Sequence, residues 1–428
     1  MADAKALAQV KDIINSDESR RFIVVSAPGK RNKQDIKITD TLYACYEELN
    51  QTGKLGEKFA LIRQRFLDLV ADLKLDLDIQ AVLDRTEKEI IENNSPDFTA
   101  SRGEYLSAIV MANYLGFEFI DAEEMVRFDS RGNLNQDYTD DKVRNRLEGV
   151  QKAVIPGFYG RDYEGKIKTF SRGGSDITGS IIARGVKADL YENWTDVSGF
   201  LICDPRIVPE AKPIKQVTYK ELRELAYMGA SVLHPEAIFP VMKGKIMINI
   251  KNTFRPQDPG TFIVPNEKYD VALSDAVITG IAGKKDFTVI FIEKSMMNAE
   301  VGFIRKVLSV VEHYGLCVEH LPSGVDTLSV VVESSQLQDG ILTDLVNEIR
   351  ENVSPDYVHV IENISLIATV GHGMNRRVGT AAKIFNSLAE ANINIRMIDQ
   401  GSSELNIIIG VANNDYEKCI STIYHAFN

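Results

Sequence analysis

The stretch richest in chemical potential is Ser171-Arg172-Gly173-Gly174-Ser175-Asp176, with a helix-like run from Ile177 to Gly185 directly behind it. Adjacent glycines permit a tight turn and close backbone approach to a ligand, and the first amides of a helix point unpaired N–H groups at whatever lies there. Arg172 adds a planar fork for a carboxylate or phosphate. Ser175 can cap the helix, and Asp176 can accept from an ammonium or lie among the first-turn amides, where negative charge is favoured. A Gly-Gly turn capping an ordinary helix explains the same six residues, so the stretch alone does not decide.

Other polar groups sit at the ends of apolar runs. Ser101-Arg102-Gly103-Glu104 precedes the run Tyr105 to Tyr114, and Ser101 and Glu104 have capping-box spacing, a role that competes with Glu104 facing a ligand ammonium. Ser26-Ala27-Pro28-Gly29-Lys30 is a Pro-Gly turn with a hydroxyl and a cation; with Arg31, Lys33 and Lys37 it also reads as a solvated loop. Thr195-Asp196 closes a strand-like run from Ala188, and ligands bind at the carboxyl edge of open α/β sheets. Asp204-Pro205-Arg206 is a polar loop or a plain turn, and His234 reads as structural.

The elements that must position these groups form an α/β pattern. Leu7, Val10 and Ile14 share one helical face before the apolar strand Phe22 to Val25; a helix starts at Thr39-Asp40, and helical patterning fills Tyr43 to Asn93. Phe117 to Asp121 and Val154 to Phe158 read as strands, and Thr218 to Met228 as a helix with a Thr218/Glu221 capping box and Gly229 at its end. Pro256, Pro259 and Pro265 mark a boundary after Gly260. Beyond it lies a βαββαβ unit: 287–293, 303–314, 317–321, 327–332, 342–351 and 357–361. A second copy, 364–370, 378–391, 395–399, 405–411 and 416–427, lacks its last strand, while a spare strand, 277–282, precedes the first copy. The first unit is therefore expected to be inserted in the second.

Length and charge bound the function. With 428 residues, 44% of them hydrophobic, the chain can build two or three domains. A net charge of -12 argues against a general nucleic-acid or membrane surface. Cys45, Cys203, Cys317 and Cys419 show no metal or redox spacing and read as reduced thiols. No apolar run approaches the roughly 20 residues of a membrane span, and no secretory signal opens the chain, so a cytoplasmic protein is expected.

Taken together, Ser101-x-Gly103-Glu104, Gly157-Phe158, Arg172 to Asp176, Thr195-Asp196, Asp204-Pro205-Arg206, Gly229-Ala230-x-Val232-Leu233-His234-Pro235 and the tandem tail resemble aspartate kinases, over residues 2 to 428. The resemblance implies an amino-acid-kinase α/β/α sandwich (1–264) followed by two ferredoxin-like ACT domains, one at 284–361 and the other at 277–282 plus 362–428. It implies transfer of the γ-phosphate of ATP, carried with Mg²⁺, to the β-carboxylate of L-aspartate. By the resemblance Arg172 forks the α-carboxylate, Glu104 and Asp176 take the ammonium, and Thr39, Phe158 and Ser175 complete the pocket. Ser26 and Lys30 lie near the phosphates, and Thr195, Asp196, Leu201, Asp204, Arg206 and Ser231 border the nucleotide. An effector such as lysine or threonine meets Met297, Asn298, Gly302, Phe303, Ile304, Val318 and Glu319, in a homodimer formed through the ACT domains. Met297 and Phe303 also read as ordinary core, and Glu319 as an exposed strand residue. Two family features are not found: the first strand with its Lys-Phe-Gly-Gly-Ser/Thr loop, and a lysine at the position of Ser231. They leave open a second reading, a catalytically impaired, truncated amino-acid-sensing ACT protein or regulatory subunit. A kinase for glutamate or a related acid is a third.

Overall fold

The computed structural model describes residues 2–171, 173–230, 235–270 and 276–428. Arg172, Ser231 and His234 lie outside the described residues. The chain divides into two compact units, Met1–Gly199 with Val232–Lys268, and Phe200–Ser231 with Tyr269–Asn428. The segment carrying Leu201, Asp204 and Arg206 thus belongs to the second unit.

In chain order the elements are α1 (Ala4–Asn15), β1 (Phe22–Val25), α2 (Ile38–Thr52), α3 (Glu57–Asp72), α4 (Ile79–Asn93), α5 (Pro96–Leu115), β2 (Glu118–Phe119), α6 (Gln136–Leu147), β3 (Ala153–Pro156), β4 (Tyr159–Arg161), β5 (Ile167–Thr169), α7 (Gly174–Gly185) and β6 (Leu190–Thr195). There follow β7 (Gln216–Thr218), α8 (Tyr219–Tyr227), α9 (Pro235–Lys243), β8 (Met247–Asn252), β9 (Thr261–Val264), β10 (Gly280–Glu293), α10 (Phe303–His313), β11 (Thr327–Glu333), α11 (Ile341–Val353), β12 (Tyr357–Val370), α12 (Thr380–Glu390), β13 (Met397–Asp399), β14 (Asn406–Ala412) and α13 (Tyr416–Phe427).

In the first unit β1, β3 and β2 form a parallel sheet in that order, while β6 pairs parallel with β8, whose other edge takes β9 antiparallel. Parallel pairing aligns the carboxyl ends of the strands, so Ser26 and Gly157, just beyond β1 and β3, emerge on one edge; the Gly157 N–H donates to the Val25 carbonyl at 2.9 Å. The helices α2 to α5 bury Leu42, Phe59, Phe66, Leu83, Ile90 and Leu106 in one core with Val25 and Val154. The expected capping box at Ser101 and Glu104 is not formed. The helix begins earlier, capped by Ser95 with Pro96 in its first turn, so both residues lie in the buried middle of α5. Nor does Ser175 cap α7: Gly173, at φ 60°, is the N-cap. The helix expected to start at Thr39-Asp40 begins one residue earlier, at Ile38, with Lys37 as its N-cap.

In the second unit the two repeats share one sheet, in the order β11-β10-β12-β14-β13. Gly280–Gly283 pairs with Ile367–Val370, and Phe291–Glu293 with Tyr357–His359, within the same two long strands. The strand expected at 277–282 begins only at Gly280 and runs on into that expected at 287–293 as one strand, and 357–361 and 364–370 are likewise continuous. An irregularity between Lys284 and Phe287, where Asp286 takes φ 68°, bridges the two halves of β10 without breaking the ladder. The strand expected at 317–321 is reduced to isolated bridges, His320 with Val331 and Ser323 with Leu328. Leu225 and Met228 of the segment Phe200–Ser231 are buried with Phe287, Ile364 and Leu366 of this sheet, the apolar contact that assigns α8 to the second unit. Among the described residues no helix is long and apolar enough to cross a membrane.

Candidate functional site

Six of the predicted residues meet in one cavity of about 240 Å³ in the first unit: Ser26, Thr39, Glu104, Phe158, Ser175 and Asp176, with Gly173 and Gly174. Two glycines permit the approach. A Cβ on Gly157 would stand 2.7 Å from the Ser175 Cα, and one on Gly174 would stand 2.8 Å from the Phe158 Cα and closer still to the Phe158 ring, so the turn after β3 and the start of α7 pack together only because both positions lack a side chain. Phe158 takes φ 80°, a conformation disfavoured for a bulky residue. Its N–H donates to the Thr178 hydroxyl at 3.1 Å, and that hydroxyl donates to the Gly174 carbonyl at 2.8 Å.

Glu104 enters the cavity from α5. Gly103 beside it leaves no room for a side chain, since a Cβ there would lie 2.9 Å from the Ala27 Cβ and 3.2 Å from Leu42. The carboxyl is 5% exposed and its Oε2 has no partner. Burial pushes its pKa up to about 7, partly offset by the backbone N–H groups of Ala27 and of Glu104 itself. A buried acceptor without a donor is costly, and an ammonium would relieve that cost.

Asp176 faces the same cavity from the first turn of α7, and a residue the sequence reading missed orients it: Asn193 Nδ2 donates to Asp176 Oδ1 at 2.8 Å and to the Tyr191 hydroxyl at 3.1 Å. The Tyr191 hydroxyl itself donates to the Asp176 carbonyl at 3.1 Å. Gly179 makes this packing possible, because a Cβ there would meet the Tyr191 hydroxyl at 2.7 Å. The one available signal was the strand alternation that turns Tyr191 and Asn193 to the same face.

The remaining candidates lie elsewhere. Lys30 is exposed on the loop after β1 and does not line the cavity. That loop is held by Arg65, 8% exposed, which pairs with Asp35 at 3.2 Å and donates to the carbonyls of Gly29 and Ile36. Arg31 also bonds Asp35, and its guanidinium holds the Asp35 carboxyl far below the usual carboxylate range. Thr195 ends β6, with its hydroxyl 3.3 Å from Asp196 Oδ1. In the second unit Asp204 and Arg206 satisfy each other at 2.6 Å, with the Arg206 N–H donating to Asp204 Oδ1, and Leu201 bridges Pro213. Met297 and Phe303 are buried in the core of the first repeat, so a ligand there would meet their backbone. Ile304 is half-exposed, Gly302 caps α10 at φ 80°, and Glu319 Oε2 is buried without a partner. Val318 packs against that core, and Asn298 lies in the single 3-10 turn Met297–Ala299.

Comparison with known proteins covers both units. Residues 1–252 match the model of the amino acid kinase family, and residues 367–427 that of an ACT domain. Aspartokinase 3 of Bacillus subtilis is 34% identical over 444 residues, spanning 100% of this chain and 96% of the relative. The crystal structure of Clostridium acetobutylicum aspartate kinase, described as an allosteric enzyme, aligns with a TM-score of 0.90 at 51% identity, over 100% of this chain and 97% of that one. E. coli aspartokinase III in complex with aspartate and ADP aligns with a TM-score of 0.71 at 24% identity, over 99% and 97% of the two chains, a likeness of fold.

Proposed function

We propose a site assignment from one premise: this chain belongs to the amino acid kinase family and is an aspartokinase, a phosphotransferase with a carboxyl acceptor. It transfers the γ-phosphate of ATP to the β-carboxylate of L-aspartate, giving 4-phospho-L-aspartate and ADP, under amino-acid control. The observation that carries the assignment is the cavity that gathers Ser26, Thr39, Glu104, Phe158, Ser175 and Asp176 from separate segments of the first unit. At about 240 Å³ it lies below the roughly 300–1,000 Å³ of sites for drug-sized ligands and suits a small metabolite.

Glu104 and Asp176 take the aspartate ammonium, and the amides opening α7, together with Arg172, take the α-carboxylate. Thr39 and Phe158 wall the pocket. The β-carboxylate is ionised at neutral pH and needs no general base, so catalysis rests on alignment with the γ-phosphate and on neutralising its charge. Ser26, shared between the cavity and the end of β1, stands where acceptor and phosphate meet. Lys30, Thr195 and Asp196 serve the nucleotide from the first unit. The roles of Leu201, Asp204, Arg206 and Ser231 rest on the family resemblance. Mg²⁺ arrives with ATP as part of the substrate, held by phosphates and water. Lysine or threonine acts at Met297 to Ile304, with Val318 beside it and the Glu319 carboxylate on its ammonium. The ACT domains pair two copies.

Aspartate-dependent formation of ADP tests the reading. Arg172→Ala is expected to raise the KM for aspartate strongly and leave that for ATP unchanged; equal losses would contradict the pocket assignment. Absence of turnover with lysine or threonine still bound would favour the second reading, a chain that senses amino acids without catalysis.

A further inference from the structure

The proline-rich stretch that reads in sequence as a boundary lies inside the first unit, where residues 253–260 join β8 to β9. Parallel pairing sets Thr195, the last residue of β6, beside Asn252, the last of β8. The turn 196–199 and the connection 253–260 therefore leave the sheet at the same carboxyl edge. They are tied together there. The Thr253 N–H donates to the Thr195 carbonyl at 2.8 Å. Asn252 Nδ2 donates to Ser198 Oγ at 3.0 Å, and Ser198 Oγ donates to Asp258 Oδ2 at 2.6 Å, a charge-assisted length. Gly199, at φ 99°, abuts the start of β9, since a Cβ there would stand 2.8 Å from the Thr261 nitrogen.

The ties fall on the inner half of the turn. Ser198 and Gly199 carry them, whereas Asp196 and Val197 are exposed. Asn252 is 3% exposed and its Oδ1 accepts from the Phe254 N–H at 2.8 Å, so both ends of the amide are fixed where it meets Ser198. Asp258 Oδ2 also lies 3.5 Å from Arg255 Nε. A hydroxyl has a single proton to give. That of Ser198 is committed to Asp258, so this hydroxyl holds the turn instead of donating to a ligand.

We propose that Asn252 and Asp258, acting through Ser198, are positioning residues for the nucleotide: they fix the turn 196–199 in the shape that presents Thr195 and Asp196. The inference rests on the reading that Thr195 and Asp196 serve ATP. A turn held in advance does not have to be ordered when ATP binds, so the ties act on nucleotide affinity without touching the nucleotide. Charge alone predicts the opposite for Asp258, because removing a carboxylate favours a polyanion.

Isothermal titration of the full chain with ADP, and separately with aspartate, is the test. Ser198→Ala and Asp258→Ala are each expected to weaken ADP about tenfold and to leave aspartate within about twofold. Because both act through one bond, the double variant is expected to bind ADP no more weakly than Ser198→Ala alone. Asp258→Asn keeps an oxygen that can accept from Ser198 and is expected to recover most of the loss. Asp196→Ala separates the inference from its premise. If that variant binds ADP as tightly as the wild type, the nucleotide reading of the turn is wrong and the inference falls with it. If it weakens ADP while Ser198→Ala and Asp258→Ala do not, or if their losses add in the double variant, the nucleotide reading stands and the positioning role is refuted. Parallel losses of ADP and aspartate affinity would show a merely structural role and overturn the proposal equally.

Discussion

Replacing Glu104 with glutamine is expected to stabilise the enzyme while abolishing its use of aspartate. The carboxyl is buried in the middle of α5, has one oxygen without a partner, and titrates near 7 in the fold against an ordinary 4.5. Because the folded value is raised, the fold favours the protonated form: the group adds nothing unfavourable below pH 4.5, and stability is lost progressively as the pH rises through 4.5 to 7. At about 1.4 kcal/mol per pH unit the difference amounts to about 3 kcal/mol at pH 8. Glutamine avoids that cost. The variant is expected to melt several degrees above wild type at pH 8, with the gap closing at pH 5, where both side chains are neutral; the pH dependence separates the charge effect from any change in packing. In the wild type, binding an ammonium requires the carboxylate, so the KM for aspartate is expected to rise about tenfold for each pH unit below 7. Thermal melts at the two pH values and an ADP-release assay between pH 6 and 8 measure both effects. A melting gap that is the same at pH 5 and 8, or a glutamine variant that keeps wild-type aspartate affinity, would refute the reasoning.

Asn193→Ala removes the amide that holds Asp176 Oδ1 at 2.8 Å. A hydrogen bond to a charged group is worth about 1.5–3 kcal/mol, so the KM for aspartate is expected to rise about tenfold or more with that for ATP within twofold; parallel changes in both would argue that Asn193 is only structural. Glu221 is fully buried and accepts from the Thr218 N–H at 2.8 Å, the Thr218 hydroxyl at 2.7 Å, the Thr279 hydroxyl at 2.6 Å and the His372 N–H at 2.7 Å. Glu221→Ala strands these donors and is expected to destabilise the second unit by about 3 kcal/mol or more, read by denaturant melts; a loss below about 1 kcal/mol, the worth of a cap alone, would show that the links to Thr279 and His372 carry nothing.

Much of the fold and part of the candidate site were legible because the signals are local in sequence. The glycine turn before α7, the strand ends at Ser26 and Thr195 and the Thr218/Glu221 box each follow from a few neighbouring residues. The misassigned helix start at Ser101 shows the limit of such reading. Ser95 and Pro96 carried an equally good start signal six residues earlier, and only the packing of α5 against Ala27 and Leu42 decides between them. That choice changes the role of Glu104. A cap would satisfy its oxygens, whereas a buried mid-helix position leaves one of them without a donor.

The sequence by itself determined which residues can do chemistry, the tandem repeat in the tail, and the spare strand expected at 277–282, of which residues 280 to 282 lie in β10, because residue type, spacing and hydrophobic period are local properties. Tertiary structure alone decided that Glu104, Asp176 and Ser26 share a cavity, that Asn193 orients Asp176, and that the second Glu221 oxygen ties α8 to Thr279 and His372. It also paired Glu300 with both Lys294 and Lys306 in the first repeat. The others are contacts between segments tens to hundreds of residues apart, set by burial and close backbone approach, and no local pattern encodes which distant partner a buried polar group will meet.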